Sequence, residues 1–159
     1  MLRFSPCLFF ITVQSKIKDK FKMTSLMQSQ VNLLSRFLDN TTSVQDASIV
    51  INKYPDILTD YRIDNQTNED VLRYLLLQGC LPTESYLYRV CDNEMTDIII
   101  ILCELDVFRR VHRNDADLSI YVAKQLVADI FLKYGFITKE LYDSYVPIWK
   151  EFASFIISF

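Results

Sequence analysis

The chain has 159 residues, of which half are hydrophobic, 23% are charged and 13% are aromatic. This composition excludes an intrinsically disordered chain, because disordered chains contain too few apolar residues to offset the entropy of ordering. A balance of 17 Lys and Arg against 20 Asp and Glu gives a formal charge of −3, which argues against a nucleic-acid binder that neutralises phosphates. Only two glycines are present, which disfavours turn-rich β-sandwiches and glycine-rich phosphate loops.

Residues 1–22 differ in composition from the rest of the chain. They contain five basic residues, one acid and a short apolar run over 8–13, and that run is too short to span a bilayer. Three interpretations stay open: a weak secretion signal, an amphipathic surface segment, or an extension upstream of a start at Met23. We favour the last because ordinary globular sequence begins there, and we expect residues 23–159 to form one helical domain with no stable membrane span.

The four cysteines, Cys7, Cys80, Cys91 and Cys103, are spread along the chain. No two lie closer than 11 residues, so no Cys-x-x-Cys pair is present for zinc binding or dithiol exchange. The last three stand among apolar residues, where a thiol behaves as a small hydrophobic group. We therefore expect buried, reduced thiols, which fit an intracellular protein of the cytoplasm or nucleus.

Apolar residues at helical spacing predict helices along most of the chain. The predicted helices cover 28–39, 44–54, 71–78, 82–91, 98–105, 118–134, 139–145 and 149–159, with a mixed stretch at 57–63 and polar breaks at 64–68 and 114–117. The four isoleucines at 98–101 leave a strand open there. Pro147 is expected to separate the last two helices.

Polar residues and glycines mark the ends of these predicted helices. The expected N-terminal caps are Ser43 or Thr42, Asn68, Thr96 and Thr138, and Pro82 is expected in a first helical turn. Gly79 and Gly135 each follow an apolar helix, where a residue with positive φ commonly ends the helix. These regular caps favour an all-α fold.

An internal repeat is the most informative feature of the sequence. Residues 71–90 align with 127–146 at an offset of 56, so that Gly79 meets Gly135, and 97–102 falls on 70–75 at an offset of 27. A period near 28 therefore covers residues 68 to about 146. Periods of this length indicate stacked pairs of elements that cannot bury a hydrophobic face alone.

The stretch LYRVCDNEMTDIIIILC, residues 87–103, resembles the two-helix core of an ankyrin repeat. Leu87 occupies the position of the family's helical leucine, and Asp97 occupies the position of the acid at the start of its second helix. Residues 70–82 resemble the end of a preceding repeat. The other matching positions are Val90, Cys91, Ile98, Ile99 and Gly79. The resemblance implies an ankyrin-like solenoid of stacked antiparallel helix pairs, which binds another protein and catalyses nothing.

The chain departs from the ankyrin pattern in three ways. Glu94 stands at the turn glycine, the usual Thr-Pro-Leu-His opening is absent, and each unit is about five residues short. The family's binding surface therefore cannot be carried over. Short, glycine-poor repeats of this style resemble the divergent ankyrin proteins of large DNA viruses and protists, which implies a modulator of host signalling.

Two helical bundles remain as alternatives. The pattern Gly79-x-Leu81 followed by Asp97-Ile98-Ile99 also resembles the last helices of a death-effector-type domain, although Met95 stands where that family has a basic residue. A Bcl-2-like bundle would use the apolar stretch 98–108 as its central helix. Either would imply a regulator of apoptosis or NF-κB signalling.

Few residues are candidates for a functional site. His112 is the only histidine, which excludes histidine-paired metal sites, and no nucleophile stands at useful spacing from it. It belongs to a basic cluster, Arg109, Arg110, His112 and Arg113, that either forms a solvated helix end or contacts an acidic partner. No catalytic, cofactor-binding or metal-binding residues are predicted.

A run of aromatic residues at helical spacing closes the chain. Phe152, Phe155 and Phe159 follow one helical face together with Ile156. We expect this run to belong to the core or to cap the preceding repeat, rather than to contact a membrane.

Overall fold

The computed structural model describes residues 27–112 and 118–157, and within them the fold is all-α apart from one pair of two-residue strands. The expectations for residues 1–22, Cys7, Arg113, the polar break at 114–117 and Phe159 lie outside the described residues.

The N-terminal part of the described chain contains three helices. Helix α1 covers 27–40, α2 covers Val44–Lys53 and the single turn α3 covers Ile57–Asp60. The hydroxyl of Ser43 accepts a 3.2 Å hydrogen bond from the backbone N–H of Asp46, which confirms this residue as the cap of α2.

The next two helices are joined through the short strands. Helix α4 covers Glu69–Leu77 and α5 covers Glu84–Asp92, while β1 (Arg62–Ile63) pairs in parallel with β2 (Leu81–Pro82). The expectation that Pro82 lies in a helical turn is wrong. It ends β2, and the hydroxyl of Thr83 caps α5 by accepting a 3.1 Å hydrogen bond from the backbone N–H of Tyr86.

The isoleucine-rich segment is helical. Helix α6 covers Thr96–Glu104 and the short helix α7 covers Val107–Val111, so the strand left open at 98–101 does not form. The side chain of Thr96 does not cap α6; Met95 holds the cap position without a side-chain hydrogen bond. Five residues of α6 are buried, more than in any other helix between 44 and 104, and this burial explains its apolar composition.

The helix predicted over 118–134 is broken in the structure. A 3-10 turn covers Leu118–Tyr121, and α8 covers Gln125–Lys133. Lys124 interrupts the helix with an extended backbone, and its ammonium group donates a 2.5 Å hydrogen bond to the carbonyl oxygen of Asp92. A contact made to another part of the chain therefore overrides the local apolar pattern.

The two helices predicted at the C-terminus are one. Helix α9 covers Lys139–Ile157 and contains Pro147, and the hydroxyl of Thr138 accepts a 3.2 Å hydrogen bond from the backbone N–H of Leu141 as predicted. Proline removes one hydrogen bond from the helical ladder. Pro147 and Asp143 are both exposed, so the carbonyl left without its helical partner faces solvent.

The helices pack in chain order. Helix α2 packs against α4, α4 against α6, α6 against α8, and α8 against α9. The helices α5 and α7 pack beside this row, α5 against α6 and the 3-10 turn, and α7 against β2. The buried apolar side chains of α4, α6 and α8 form the core of this row.

Left-handed residues end successive members of this row. Gly79 after α4 has φ +94° and Gly135 after α8 has φ +73°, which confirms both predictions. Asp106 after α6 has φ +54°, and it stands 27 residues after Gly79 and 29 before Gly135. The helix ends therefore follow the period of about 28 found in the sequence, with an aspartate in the middle unit where the flanking units have glycine.

Candidate functional site

The predicted basic cluster lies on and just after α7. Val107 and Phe108 are buried on the inner side of this helix, so the following residues face outward or toward its ends. Arg109, Arg110 and His112 are described, and each has a different environment.

Arg109 connects two turns of the fold. Its guanidinium donates a 2.9 Å hydrogen bond to Oδ1 of Asp106 and a 2.7 Å hydrogen bond to the carbonyl oxygen of Gly135. It also lies 4.3 Å from the centre of the Phe136 ring, within the range of a cation–π contact. These contacts give Arg109 a structural role.

His112 lies between the side chains of Tyr121 and Glu84, and no sequence pattern predicted that these residues would be close to it. Its Nε2 atom is within hydrogen-bond distance of the Tyr121 hydroxyl, and its Nδ1 atom lies 4.0 Å from Oε1 of Glu84. Burial raises the pKa of Tyr121, with smaller contributions from Cys91 and Glu84, so this hydroxyl keeps its proton. The hydroxyl and the Nε2 atom share one hydrogen bond, in which either group can be the donor.

The cavity beside Tyr121, the hydrogen-bond partner of His112, is too small for a substrate. Tyr121 is buried and packs against the rings of Phe108 and Tyr88. The cavity beside Tyr121, which Tyr88 and Ile120 also line, has a volume of about 30 Å³. That volume corresponds to about one water molecule, whereas small-molecule sites measure roughly 300 Å³ or more.

Arg110 differs from its two neighbours. Its side chain is exposed, and it forms no ion pair within 4 Å to any residue that the structure describes. Of the predicted cluster, Arg110 is therefore the described residue best placed to meet an acidic partner.

The three described cysteines are free and buried, as predicted. Burial raises the pKa of Cys80 to about 11 and the pKa values of Cys91 and Cys103 to about 12. These thiols keep their protons near neutral pH, and the thiolate is the reactive form. They therefore serve as core residues.

A buried polar junction, which no sequence pattern predicted, lies at the end of α1. Gln66 is 2% exposed, and its amide donates hydrogen bonds of 2.6 Å and 3.0 Å to the carbonyl oxygens of Leu38 and Thr41. The Tyr86 hydroxyl donates to the carbonyl oxygen of Gln66 at 2.5 Å. Nothing in the polar stretch 64–68 distinguishes this glutamine from an exposed loop residue.

A second part of this junction is centred on Asp39. Its Oδ1 atom accepts hydrogen bonds from the Tyr61 hydroxyl at 2.8 Å and from the backbone N–H of Asp64 at 3.2 Å. Burial, followed by the charge of Asp39, raises the pKa of Tyr61. The junction holds α1 against the rest of the chain, and its buried side-chain polar atoms all have hydrogen-bond partners.

Large apolar side chains are exposed at several places on the described surface, including Met27 and Leu33 on α1 and Leu77 on α4. Tyr88 on α5 and Ile120 on the 3-10 turn are about half exposed. Phe152 and Phe155 on α9 are about two-thirds exposed, so the expectation that they belong to the core or cap a repeat is wrong for these two residues. The side chain of Ile156, like Phe159, lies outside what the structure describes.

Within the described ranges, no three His, Cys, Asp or Glu side chains are grouped to hold a metal ion. None of the described helices combines the length and apolar character needed to cross a membrane.

Comparison with family models, curated proteins and solved structures finds no match to this chain.

Proposed function

We propose that this protein is a non-enzymatic interaction module, built from stacked antiparallel helix pairs of an ankyrin-like kind, that binds another protein in the cytoplasm or nucleus. The observation that carries the proposal is that its polar side-chain contacts join residues that lie close together in the sequence. Between described residues, every side-chain hydrogen bond or ion pair joins positions no more than 32 apart. A stack of repeats has this property, because each unit contacts only its neighbours.

Several of these contacts join residues whose separation in the sequence is close to the repeat period of about 28. Arg73 on α4 pairs with Glu104 on α6 at 2.9 Å over 31 positions. Lys124 reaches back 32 positions to Asp92, and Trp149 donates a 3.1 Å hydrogen bond to the carbonyl oxygen of Ala123 over 26. Together with the packing of α2, α4, α6 and α8 in series, they support a stack over a death-fold or Bcl-2-like bundle, in which helices cross around a central one.

The non-enzymatic part of the proposal has separate support. Every buried side-chain nitrogen or oxygen of the described residues has a hydrogen-bond partner. His112 lies between Tyr121 and Glu84, and the cavity that Tyr121 lines holds about one water molecule. Catalytic sites commonly require a cleft with polar groups directed into it. The buried polar side chains of the described residues are directed into the structure itself.

Hydrogen exchange tests the stacked architecture. The substitution Gly135→Val strains the end of α8, and in a stack it should raise the exchange rates of α8 and α9 at least tenfold while leaving α2 and α4 protected. A bundle with a single core would lose protection in all four helices together. Uniform loss would overturn the stacked architecture.

Binding tests the function. The wild-type chain should retain a protein from a cell extract. In calorimetry, that protein should then form a saturable complex with the purified chain. The double variant Tyr88→Ser, Ile120→Ser is the matched control, because it removes two exposed apolar side chains beside the row. A retained protein that is chemically changed by the chain would count against a non-enzymatic role.

A further inference from the structure

An apolar groove separates α1 from the chain that joins α2 to α3. One wall is formed by Met27, Val31 and Leu34, which are spaced by four and then three positions and so lie on one face of α1. The facing wall includes Tyr54 and Ile57. The groove has a volume of about 270 Å³, whereas the cavity beside Tyr121 has about 30 Å³. We refer to it as the α1 groove.

The α1 groove also carries exposed carboxylates. Asp56 and Asp60 line it, and neither forms an ion pair within 4 Å with a residue that the structure describes. Lys53, which also lines the groove, lies 5.5 Å from the centre of the Tyr54 ring. The described residues as a whole include 11 Lys and Arg against 17 Asp and Glu. This groove therefore suits an apolar segment that is flanked by basic residues.

The beginning of the chain has that chemistry. The run 8–13 reads LFFITV, and it is preceded by Arg3 and followed by four lysines within 16–22. Asp19 is the one acid among residues 1–22, so this segment has a formal charge of +4, opposite in sign to the rest of the chain. Opposite charges favour the encounter of the two surfaces, and the apolar run supplies area to bury.

The covalent connection places this segment next to the α1 groove. Residues 14–26 are the 13 positions between the run and Met27, and Met27 itself lines the groove. A tether of that length spans at most about 45 Å, and it gives an effective concentration of about 1 mM. The exposed apolar residues of α9 belong to the opposite end of the helix row from α2. The tether therefore favours the groove.

We propose that, in the chain that carries residues 1–22, the run 8–13 docks in the α1 groove and brings the lysines of 16–22 near Asp56 and Asp60. A free segment with a dissociation constant of about 0.1 mM would, at that effective concentration, be docked in about nine-tenths of the molecules. A chain that starts at Met23 would leave the groove open to a partner. The inference does not depend on the proposed function, because the contact lies within one chain.

A nitroxide label on Cys7 tests the docking in the full chain. Cys7 directly precedes the run, whereas Cys80, Cys91 and Cys103 are buried, and burial raises the pKa values of their thiols. Because the thiolate is the form that reacts, a thiol-specific nitroxide at neutral pH should modify Cys7. The unpaired electron broadens the NMR signals of nearby backbone amides, and reduction with ascorbate restores them.

The amide signals of the groove should lose intensity in the labelled chain. At the docked fraction given above, the signals of Val31 and Tyr54 should fall to roughly half or less of their intensity in the reduced sample. The signals of α9 should be unchanged. A sample in which a nitroxide-labelled chain without ¹⁵N is mixed with an unlabelled ¹⁵N chain should show no broadening, because the proposed contact is intramolecular.

Two pairs of variants separate the apolar and the charged parts of the contact. Phe10→Glu places a charge in the run and should restore the groove signals, whereas Ser5→Glu adds the same charge outside the run and should leave them broadened. Asp60→Lys should weaken docking about threefold by replacing an attraction with a repulsion. Glu151→Lys reverses an exposed charge on α9 and should leave docking as it is in the wild type.

Four results would overturn the proposal. The first is full intensity at Val31 and Tyr54 in the labelled chain, and the second is equal broadening with Phe10→Glu. The third is broadening of the groove signals in the mixed sample to the same extent, which would assign the run to a second copy. The fourth is unbroadened groove signals in a chain that co-sediments with phosphatidylcholine–phosphatidylglycerol vesicles through residues 1–22, which would assign the segment to lipid.

Discussion

Arg109 donates a hydrogen bond of 2.7 Å to the carbonyl oxygen of Gly135, which lies 26 positions later in the chain. The same guanidinium pairs with Asp106 at 2.9 Å. Asp106 and Gly135 are the left-handed residues that end α6 and α8. One side chain therefore connects the ends of two neighbouring helices in the row.

Replacing Arg109 should destabilise the fold. Arg109→Ala removes two charge-assisted hydrogen bonds and the contact with Phe136, and because the side chain is 39% exposed we expect a loss of about 1–2 kcal/mol in the free energy of unfolding. Urea unfolding measures it. Arg110→Ala is the matched control, and its expected change is within about 0.5 kcal/mol because Arg110 is exposed and unpaired among described residues. Equal losses in the two variants would contradict the structural role of Arg109.

The local chemistry of the sequence predicted most of the helices and several of their ends. Ser43, Asn68 and Thr138 cap helices as expected, each through its side-chain oxygen, and both glycines have positive φ. These features depend on a few neighbouring residues, because a cap bonds to an N–H only three positions away.

Features set by distant contacts could not be predicted. The break before α8 depends on Lys124 meeting Asp92 and Glu94, and the positions of Arg109 and His112 depend on Gly135 and Tyr121. Periodicity describes one helix at a time and contains no information about partners about 30 residues away. The basic cluster therefore looked continuous in the sequence, although its members have separate roles in the structure.

Gly79 should be the most sensitive position at the end of α4. Its φ of +94° is unfavourable for any residue with a Cβ atom, although an added Cβ would meet nothing within 4 Å. We expect Gly79→Val to lower the free energy of unfolding by about 1 kcal/mol or more through backbone strain alone. The preceding residue, Gln78, has helical dihedral angles, so Gln78→Val should cost less than about 0.5 kcal/mol. Denaturant midpoints compare the two, and an unchanged midpoint for Gly79→Val would contradict the cap.

Glu94 carries backbone strain that glycine would relieve. Its φ is +51°, and its carboxylate pairs with Lys124 at 3.3 Å. Glu94→Ala and Glu94→Gly both remove the ion pair, but only the glycine variant removes the Cβ penalty of about 1–2 kcal/mol. After allowing about 0.5–1 kcal/mol for the extra flexibility of glycine in the unfolded chain, we expect Glu94→Gly to be more stable than Glu94→Ala by about 0.5–1 kcal/mol. Thermal melts of the two variants measure this difference, and an alanine variant at least as stable as the glycine variant would rule out the strain.

The buried thiols should make the fold less stable at alkaline pH. A thiol in the unfolded chain ionises near pH 9, whereas burial, with a smaller contribution from Cys91, raises the pKa of Cys103 to about 12 in the folded state. The folded state therefore retains a proton that the unfolded state loses, so the free energy of unfolding is unaffected by this group below about pH 9 and falls between about pH 9 and 12.

The size of that effect can be measured on a single thiol. One retained proton changes the free energy of unfolding by up to about 1.4 kcal/mol per pH unit. Urea unfolding between pH 8 and 10.5 should give a steeper decline for the wild type than for Cys103→Ala. Buried tyrosines such as Tyr61 and Tyr86, whose pKa values burial also raises, contribute equally to both proteins and cancel in the comparison. Parallel curves would mean that Cys103 ionises as readily in the folded protein as in the unfolded chain.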